Sequence, residues 1–494
     1  MDFAEFILEH EADDLGRLAL SRARFSADVP DFDLALTTLE ARRKLRTKVP
    51  QWYAVPGLHY PLRISAEQCS STETARYKAS VAIRTIISAK TPQNALKMGP
   101  EDNLMLKNAE KCALDGTTLA DLTGGLGVDS WAFAQVFGKV LYNEMNPALA
   151  HAARHNFALL KADNITVRNV ELSSPVKQGM TAVPMAGSPV PAQNEASLSA
   201  QTGNLTEVLG DFTPDIIYLD PARRAADGRK VFFLEDCQPD VVKLLPELLE
   251  ACPLLLLKLS PMADITLVCK QLGNVREVHV VAAEGECKEL LLLLQKGYTG
   301  APGLIVFENG HQQILRCAQN DKDASSCHPE TSAPRHPETF SPCHPETFSP
   351  CHPEERSDEG SSLYATPEDL RGYLFEPGKA LLKAGAFDWP SSAFGLRKIG
   401  RHTHLFVSES PIPEPLAFFG KCFKIKDVTP LNKAGIKAMA QAYPSAEVSA
   451  RNVPMSSEEL RRKLGVRSGG SAHLFGVHLD IPAANYLIAT LPIP

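Results

Sequence analysis

Between about residues 96 and 298 the hydrophobic period of the chain switches back and forth, and this alternation limits the fold more than any other feature. TTLADLTG, KVLYNEM, ITVRNVE, DIIYLDP and PLLLLKLSP are apolar runs of strand length, separated by helical segments such as WAFAQVFG, NPALAHAARHNFALL and DVVKLLPELLEA. Repeated strand-helix units call for a parallel sheet with helices on both faces. The last two runs, REVHVVAAE and KELLLLLQKG, are joined only by the GEC region. That is too short for a crossover, so they pair antiparallel. The expectation is a Rossmann-like α/β core with a parallel sheet ending in an antiparallel strand.

A chain of 494 residues exceeds one ordinary core, so several folded units are expected. No apolar run reaches the roughly 18 to 20 residues that span a bilayer. PLLLLKLSP is the longest candidate, and Lys258 interrupts it. The N-terminal MDFAEFILEHEADDLGRLAL has neither a basic region nor a continuous apolar one, so it does not read as a secretory signal, and a cytoplasmic location is expected. Eleven cysteines without CxxC pairs suggest reduced thiols and no zinc. A net charge of -7 gives no global attraction to nucleic acid, so any such binding must rest on local patches.

Residues 1–95 read as a helical N-terminal region, with a capping box from Ser70 to Glu73 opening SSTETARYKASVAIRTIIS. Upstream, Arg42, Arg43, Lys44, Arg46 and Lys48 adjoin Trp52, Tyr53, His59 and Tyr60. These are either a solvated helix end or a phosphate-contacting patch beside base-stacking rings. Residues 173–204, rich in Ser, Pro, Gly and Ala, read as a surface excursion from the 96–300 core. His328, His336, His344 and His352 each begin an HPE tripeptide in a repeat without hydrophobic period. Residues 317–362 are therefore expected to be a disordered insertion resembling translated bacterial genomic repeats, with no metal site.

The chemistry concentrates at the strand ends. In DLTGGLGVDS, Gly124, Gly125 and Gly127 permit a tight strand-to-helix turn whose backbone N–H groups can approach a ligand. A dinucleotide fingerprint would need a further glycine where Ser130 stands, so the nicotinamide reading falls behind. Asp121, Thr123, Gly125 and Gly127 are followed about 20 residues later by Glu144 at the tip of the next strand. A carboxylate there can accept both ribose hydroxyls, while Asp121 and the turn can hold an amino-acid tail. Together they describe S-adenosylmethionine as cofactor, with Glu171 able to reach the adenine amino group.

The strand DIIYLDPARR ends in Asp220, Pro221, Ala222 and Arg223, at the edge where open α/β sheets bind ligands. Its Asp-Pro turn resembles the DPPY-type motif of amino-group methyltransferases. Asp220 and the Pro221 carbonyl can accept hydrogen bonds from an amino group and aim its lone pair at the methyl donor. Arg223 stands where that motif has an aromatic. The following strand ends KLSP, and Ser260 offers no thiol for covalent catalysis on carbon.

With EQCSSTETARYKA, these motifs resemble the class I S-adenosylmethionine-dependent methyltransferases of the Bacteroidetes type. The resemblance implies a seven-stranded core over 96–300 and a ferredoxin-like segment over 301–410 interrupted by the repeat. A small α+β THUMP-like domain would follow over 411–494. It also implies an RNA substrate, tRNA or rRNA, methylated on a base nitrogen that is unpaired or extruded. The basic patches in the first and last domains would grip its backbone. Alternatives are a noncatalytic RNA-binding protein with a degenerate core, and a small-molecule or protein methyltransferase.

Overall fold

The computed structural model describes residues 2–25, 29, 31–90, 115–172, 201–223, 234–316 and 363–493. The repeat at 317–362 and most of the 173–204 excursion lie outside the described residues. The chain forms two compact units, one built mainly from Met1–Ala283 and Lys288–Leu304, the other mainly from Ile305–Cys317 and Asp321–Pro494.

In the first unit, helices α1 (Phe32–Lys48) and α2 (Thr72–Lys90) precede seven strands of a nine-stranded sheet. These are β1 (Thr118–Asp121), β2 (Lys139–Asn143), β3 (Ile165–Arg168), β4 (Ile216–Leu219), β5 (Leu254–Leu259), β6 (Val275–Ala283) and β7 (Glu286–Gln295). They lie in the order β3-β2-β1-β4-β5-β7-β6. The pairs β1–β2, β2–β3, β1–β4 and β4–β5 are parallel, and β7 runs antiparallel to β5. The antiparallel end expected from the short GEC connection is therefore present. Strand order reverses at β1 and β4, whose carboxyl ends stand side by side, and such a switch point is where a crevice opens. Helices α3 (Val128–Ala134), α4 (Pro147–Leu159), α5 (Val241–Ala251) and α6 (Ile265–Leu272) supply crossovers.

The N-terminal region packs into this same unit. Asn156 of α4, fully buried, donates its amide to His59 O at 2.9 Å and accepts His59 N–H at 2.8 Å. On α2, Tyr77, Lys78, Val81, Ala82 and Ile86 recur at helical spacing on the buried face. The cap of α2 differs from expectation: the Ser71 hydroxyl accepts the Thr74 N–H at 3.2 Å, one residue later than the Ser70–Glu73 box. That shift frees Ser70 to point elsewhere.

The basic stretch is also reassigned. Arg42 is 2% exposed, pairs with Glu11 at 3.1 Å, donates to Val55 O and lies over the Tyr53 ring. Arg43 donates to the Glu11 and Asp13 carbonyls, Lys44 pairs with Glu67, and Lys48 donates to the Ala66 and Glu67 carbonyls. Trp52 and Tyr60 are fully buried. Four of these five cations thus tie the helices together, and these two rings present no face to a base. The end of the 173–204 excursion is ordered as well. Gln201–Gly203 pairs parallel with Val170–Leu172, and Asn204 caps the helix Leu205–Leu209 in a capping box with Glu207.

The second unit contains a sheet whose strands are β8 (Tyr373–Pro377), β9 (Arg397–Gly400), β10 (Thr403–Ser408), β11 (Gly420–Pro430), β12 (Ser445–Arg451), β13 (Arg467–Asp480) and β14 (Ala483–Pro492), in the order β9-β10-β8-β11-β14-β13-β12. Helices α7 (Lys433–Ala442) and α8 (Ser457–Leu464) cover one core, where Met439, Leu460 and Leu464 meet Leu474 and Leu487. A second core gathers Leu374, Leu405, Val407, Phe475 and Ile488.

Candidate active site

The glycine turn after β1 is shaped by what lies beneath it. Gly124 packs so tightly on Tyr142 that a Cβ there would fall 2.1 Å from the ring, and its N–H bonds the Asn143 carbonyl at 2.7 Å. Gly127, with φ of +94°, starts α3 in a conformation that disfavours other residues. Gly125, at φ +54°, faces open space: a Cβ on it would meet only Thr123 O, at 3.9 Å. The turn therefore exposes bare backbone at this point.

Glu144 sits at the tip of β2, only 8% exposed. One carboxylate oxygen accepts Gly125 N–H at 2.8 Å and the other accepts Asn146 N–H at 2.7 Å. Burial pushes its carboxyl up, while the Asn146 and Gly125 N–H groups pull it down. Each oxygen retains a further lone pair for a ligand hydroxyl.

Asp121 ends β1 with its side chain wholly buried. It accepts the Ser130 hydroxyl at 2.5 Å and the Thr123 N–H at 3.1 Å. Burial pushes this carboxyl up to about 8, against the opposing pull of Ser130 and Thr123. Ser130, the residue that breaks the dinucleotide fingerprint, is thus a partner of Asp121. Glu171 is half-buried and accepts the Gln238 amide at 3.2 Å.

Asp220 follows β4. Its N–H donates to the Thr123 hydroxyl at 2.6 Å, so Thr123 joins the glycine turn to the Asp-Pro corner. Pro221 is buried and Ala222 exposed. Ala222 and Arg223 pair antiparallel with Cys237 and Gln238 in a short ribbon beyond the corner; the Arg223 side chain lies outside the described residues. The structure brings Thr123, Gly125, Glu144 and Asp220 to one rim and sets Asp121 below it.

Sequence reasoning did not find the residues under the corner. Lys258 of β5 forms an ion pair with Asp220 and lies 4.0 Å from Glu289 of β7. Glu289 accepts both of its bonds from Lys78 of α2 at 3.0 Å. Lys78, 0% exposed, also lies 3.2 Å from Asp129 and donates to Ser70 at 2.6 Å. Asp129 accepts the Ser70 and Tyr218 hydroxyls at 3.0 and 2.9 Å. Burial pulls Lys258 toward neutrality, yet Asp220, Glu289 and Asp129 outweigh it and hold the ammonium charged. Burial pushes Asp129 up, but Lys78 and Lys258 with the two hydroxyls bring it below the ordinary carboxylate range. The sequence signal was present: a lysine inside one leucine run, and a glutamate heading the next on the adjacent core strand, need counter-charges.

Among the described residues, no group of three or more His, Cys, Asp or Glu is placed to hold a metal ion, and no helix is long and apolar enough to cross a membrane.

Comparison with known proteins agrees with this architecture. The crystal structure of a candidate methyltransferase from Porphyromonas gingivalis W83 is 27% identical, over 100% of this chain and 98% of that one, with a TM-score of 0.67. The first unit has the class I methyltransferase fold. Residues 373–414 match the model of a ferredoxin-like domain and residues 420–488 that of a THUMP-like domain, so the chain joins that fold to both C-terminal modules. Partial likenesses extend to a SAM-dependent methyltransferase from Aquifex aeolicus, 16% identical over 43% of this chain and 98% of that one, with a TM-score of 0.22. Another is the 16S rRNA N2 G1207 methyltransferase of T. thermophilus in complex with AdoMet and guanosine, 14% identical over 40% of this chain and 43% of that one, at 0.24. No curated protein matches the chain.

Proposed function

We propose that this chain transfers a methyl group from S-adenosylmethionine to a nitrogen of an RNA base, in tRNA or rRNA. One observation carries the reading: Thr123 bonds Asp220 N–H while Gly125 bonds Glu144, so donor-binding and acceptor-binding motifs share one rim. The residues present suit the donor. Glu144 offers two anchored oxygens to a ribose diol, and Gly125 leaves room for a ligand over bare backbone. Asp121 serves by fixing the turn, its oxygens being taken by Ser130 and Thr123. Glu171 stands after β3 as the candidate partner of the adenine.

The donor, when bound, supplies a sulfonium methyl whose carbon–sulfur bond breaks with both electrons staying on sulfur. The acceptor nitrogen forms the new bond with its lone pair and then releases a proton. Asp220 and the Pro221 carbonyl accept hydrogen bonds from that nitrogen and set its direction, and the rate comes chiefly from this positioning. Arg223 lies next to the corner in sequence, where a guanidinium suits base or phosphate. Ser260 follows β5 and brings no thiol, in keeping with attack by nitrogen.

For RNA, support comes from the THUMP-like match and from the cations of the second unit, where Arg462, Lys463 and Arg467 are exposed. Four of the five N-terminal cations are engaged internally, and that stretch is left out of this role. The test is radiolabelled methyl transfer from the donor into RNA isolated from a strain lacking the chain, followed by mass spectrometry of nucleosides. Incorporation into one nucleoside, strongly reduced but still measurable with Asp220→Ala and falling steeply with salt, supports the reading. RNA binding without incorporation selects the noncatalytic alternative, and transfer indifferent to RNA selects a protein or small-molecule acceptor.

A further inference from the structure

We infer that Lys258 is a positioning residue of the acceptor site, clamping one oxygen of Asp220 so that the other alone meets the acceptor nitrogen, with Lys78 of the N-terminal helix holding the clamp from behind. The inference rests on the proposed methyl transfer and adds to it Lys258 and Glu289, together with a task for Lys78.

The geometry is directional. Lys258 Nζ bonds Oδ2 of Asp220, and among the described residues no other side chain bonds either carboxylate oxygen. Oδ1 is left without a described side-chain partner, and the Asp220 side chain is about one-third exposed while that of Lys258 is 15% exposed. A free aspartate at a strand end rotates about χ2, a broad and roughly two-fold torsion. The ion pair removes that freedom. Lys258 is itself restrained, because Glu289 stands 4.0 Å on its other side. Glu289 is turned toward Lys78 by two bonds at 3.0 Å, and Lys78 is fixed in turn by Ser70 and Asp129. A continuous series of charges of alternating sign, Asp220, Lys258, Glu289, Lys78 and Asp129, runs from the rim into the interior.

This arrangement gives EQCSSTETARYKA a task. Its Ser70 and Lys78 end the series, which explains why the helical region shares one unit with the sheet. It also separates two kinds of partner for the acceptor. The ammonium of Lys258 is held between carboxylates, so the corner offers acceptors, Oδ1 and the Pro221 carbonyl, to a group that donates hydrogens.

The experiment is a double-mutant cycle on the full chain with Lys258→Met and Asp220→Ala, in methyl transfer to the RNA that the wild-type protein modifies. Donor binding by calorimetry and melting temperature are read beside it. Lys258→Met is expected to lower kcat by about 10²-fold, the scale of a misplaced reacting group, with donor affinity unchanged. In the Asp220→Ala background the same substitution is expected to change nothing further. Should Lys258→Met fail to fold, Lys258→Met combined with Glu289→Gln removes one charge of each sign and is expected to show the same loss. Wild-type kcat in a folded Lys258 variant overturns the inference and leaves the proposed function standing. Equal losses from Lys258→Met with and without Asp220 also overturn it, since the lysine would then act elsewhere. A wild-type protein that binds RNA and donor without transferring methyl removes both.

Discussion

Two groups of charged side chains in this molecule behave in opposite ways. Under the Asp-Pro corner, Lys78, Asp129, Lys258 and Glu289 are largely removed from water and hold one another. On α8, Arg461, Arg462 and Lys463 stand in or near solvent, and the closest pairing, Arg461 with Glu458, lies 35% and 59% exposed. A buried charge cannot be left alone, so each member of the first group fixes the others. A solvated charge is screened and gives its own fold little. The inner group therefore builds a shape, and the outer group is free for a partner.

The strongest way to break this contrast is to remove one inner charge. Lys78→Met leaves Glu289 and Asp129 facing each other without the cation between them, at a site that is 0% exposed. A loss of about 3 to 5 kcal/mol in urea-unfolding free energy is expected, the usual result of orphaning a buried partner. A loss below about 1 kcal/mol would mean that water already reaches the series.

Next in size is a steric test of the rim. Gly124→Ala puts a Cβ 2.1 Å from the Tyr142 ring, which is fully buried and has its hydroxyl bonded to Gly125 O at 2.6 Å. Neither ring nor turn has room to retreat, so a cost of about 1 to 3 kcal/mol is expected, with weaker donor binding from a displaced Gly125. Unchanged donor affinity by calorimetry would remove the turn from the donor site.

How much of this was legible follows from the same physics. The parallel sheet and its antiparallel end depended on run lengths and one short connection, GEC, both local features, so they could be read, whereas the strand order could not. The glycine turn, Glu144 and Asp220 carry local spacing, which is why the sequence could propose them as one candidate site. What failed required partners distant in sequence. Arg42 and Lys44 look like a surface patch until Glu11 and Glu67 fold onto them, and Ser70 looks like a cap until Asp129 draws its hydroxyl away. Lys258 was visible as an interruption in one leucine run and Glu289 at the head of another, but nothing in the spacing told one to pair with Asp220 and the other with Lys78. Asp121 was expected to face the ligand; its burial and its bond to Ser130 come from the start of α3 folding over it.

That burial gives a smaller, pH-dependent test. The folded carboxyl of Asp121 lies near 8, above its ordinary value of about 4, so the folded state binds the proton more tightly. Its contribution to stability is complete below about pH 4 and is lost as pH rises toward 8. Asp121→Asn keeps an acceptor for Thr123 and a donor toward Ser130 but cannot ionise. Between about pH 6 and about pH 7 the variant should gain on the wild type by about 1 kcal/mol, and by no more than about 1.4. A gap that does not move with pH would show that the carboxylate is already ionised in the fold.

The smallest effect on stability is expected on α8. Arg462→Ala with Lys463→Ala removes two exposed cations and leaves Leu460 and Leu464, which face the core, untouched. The capping box of Ser456 and Glu459 also remains to hold the helix start. Melting temperature should therefore not change resolvably. RNA affinity should, because each lost phosphate contact lowers the salt slope by about 0.7 on a single strand and about 0.9 on a duplex. Both readings come from one protein preparation, and together they sharpen the contrast with Lys78: a charge that leaves the fold indifferent and the salt slope reduced is one that faces a polyanion. If the slope stays at its wild-type value, the outer cations of α8 do not meet RNA, and the grip on the substrate must come from Arg467 or from the strands β11 to β13.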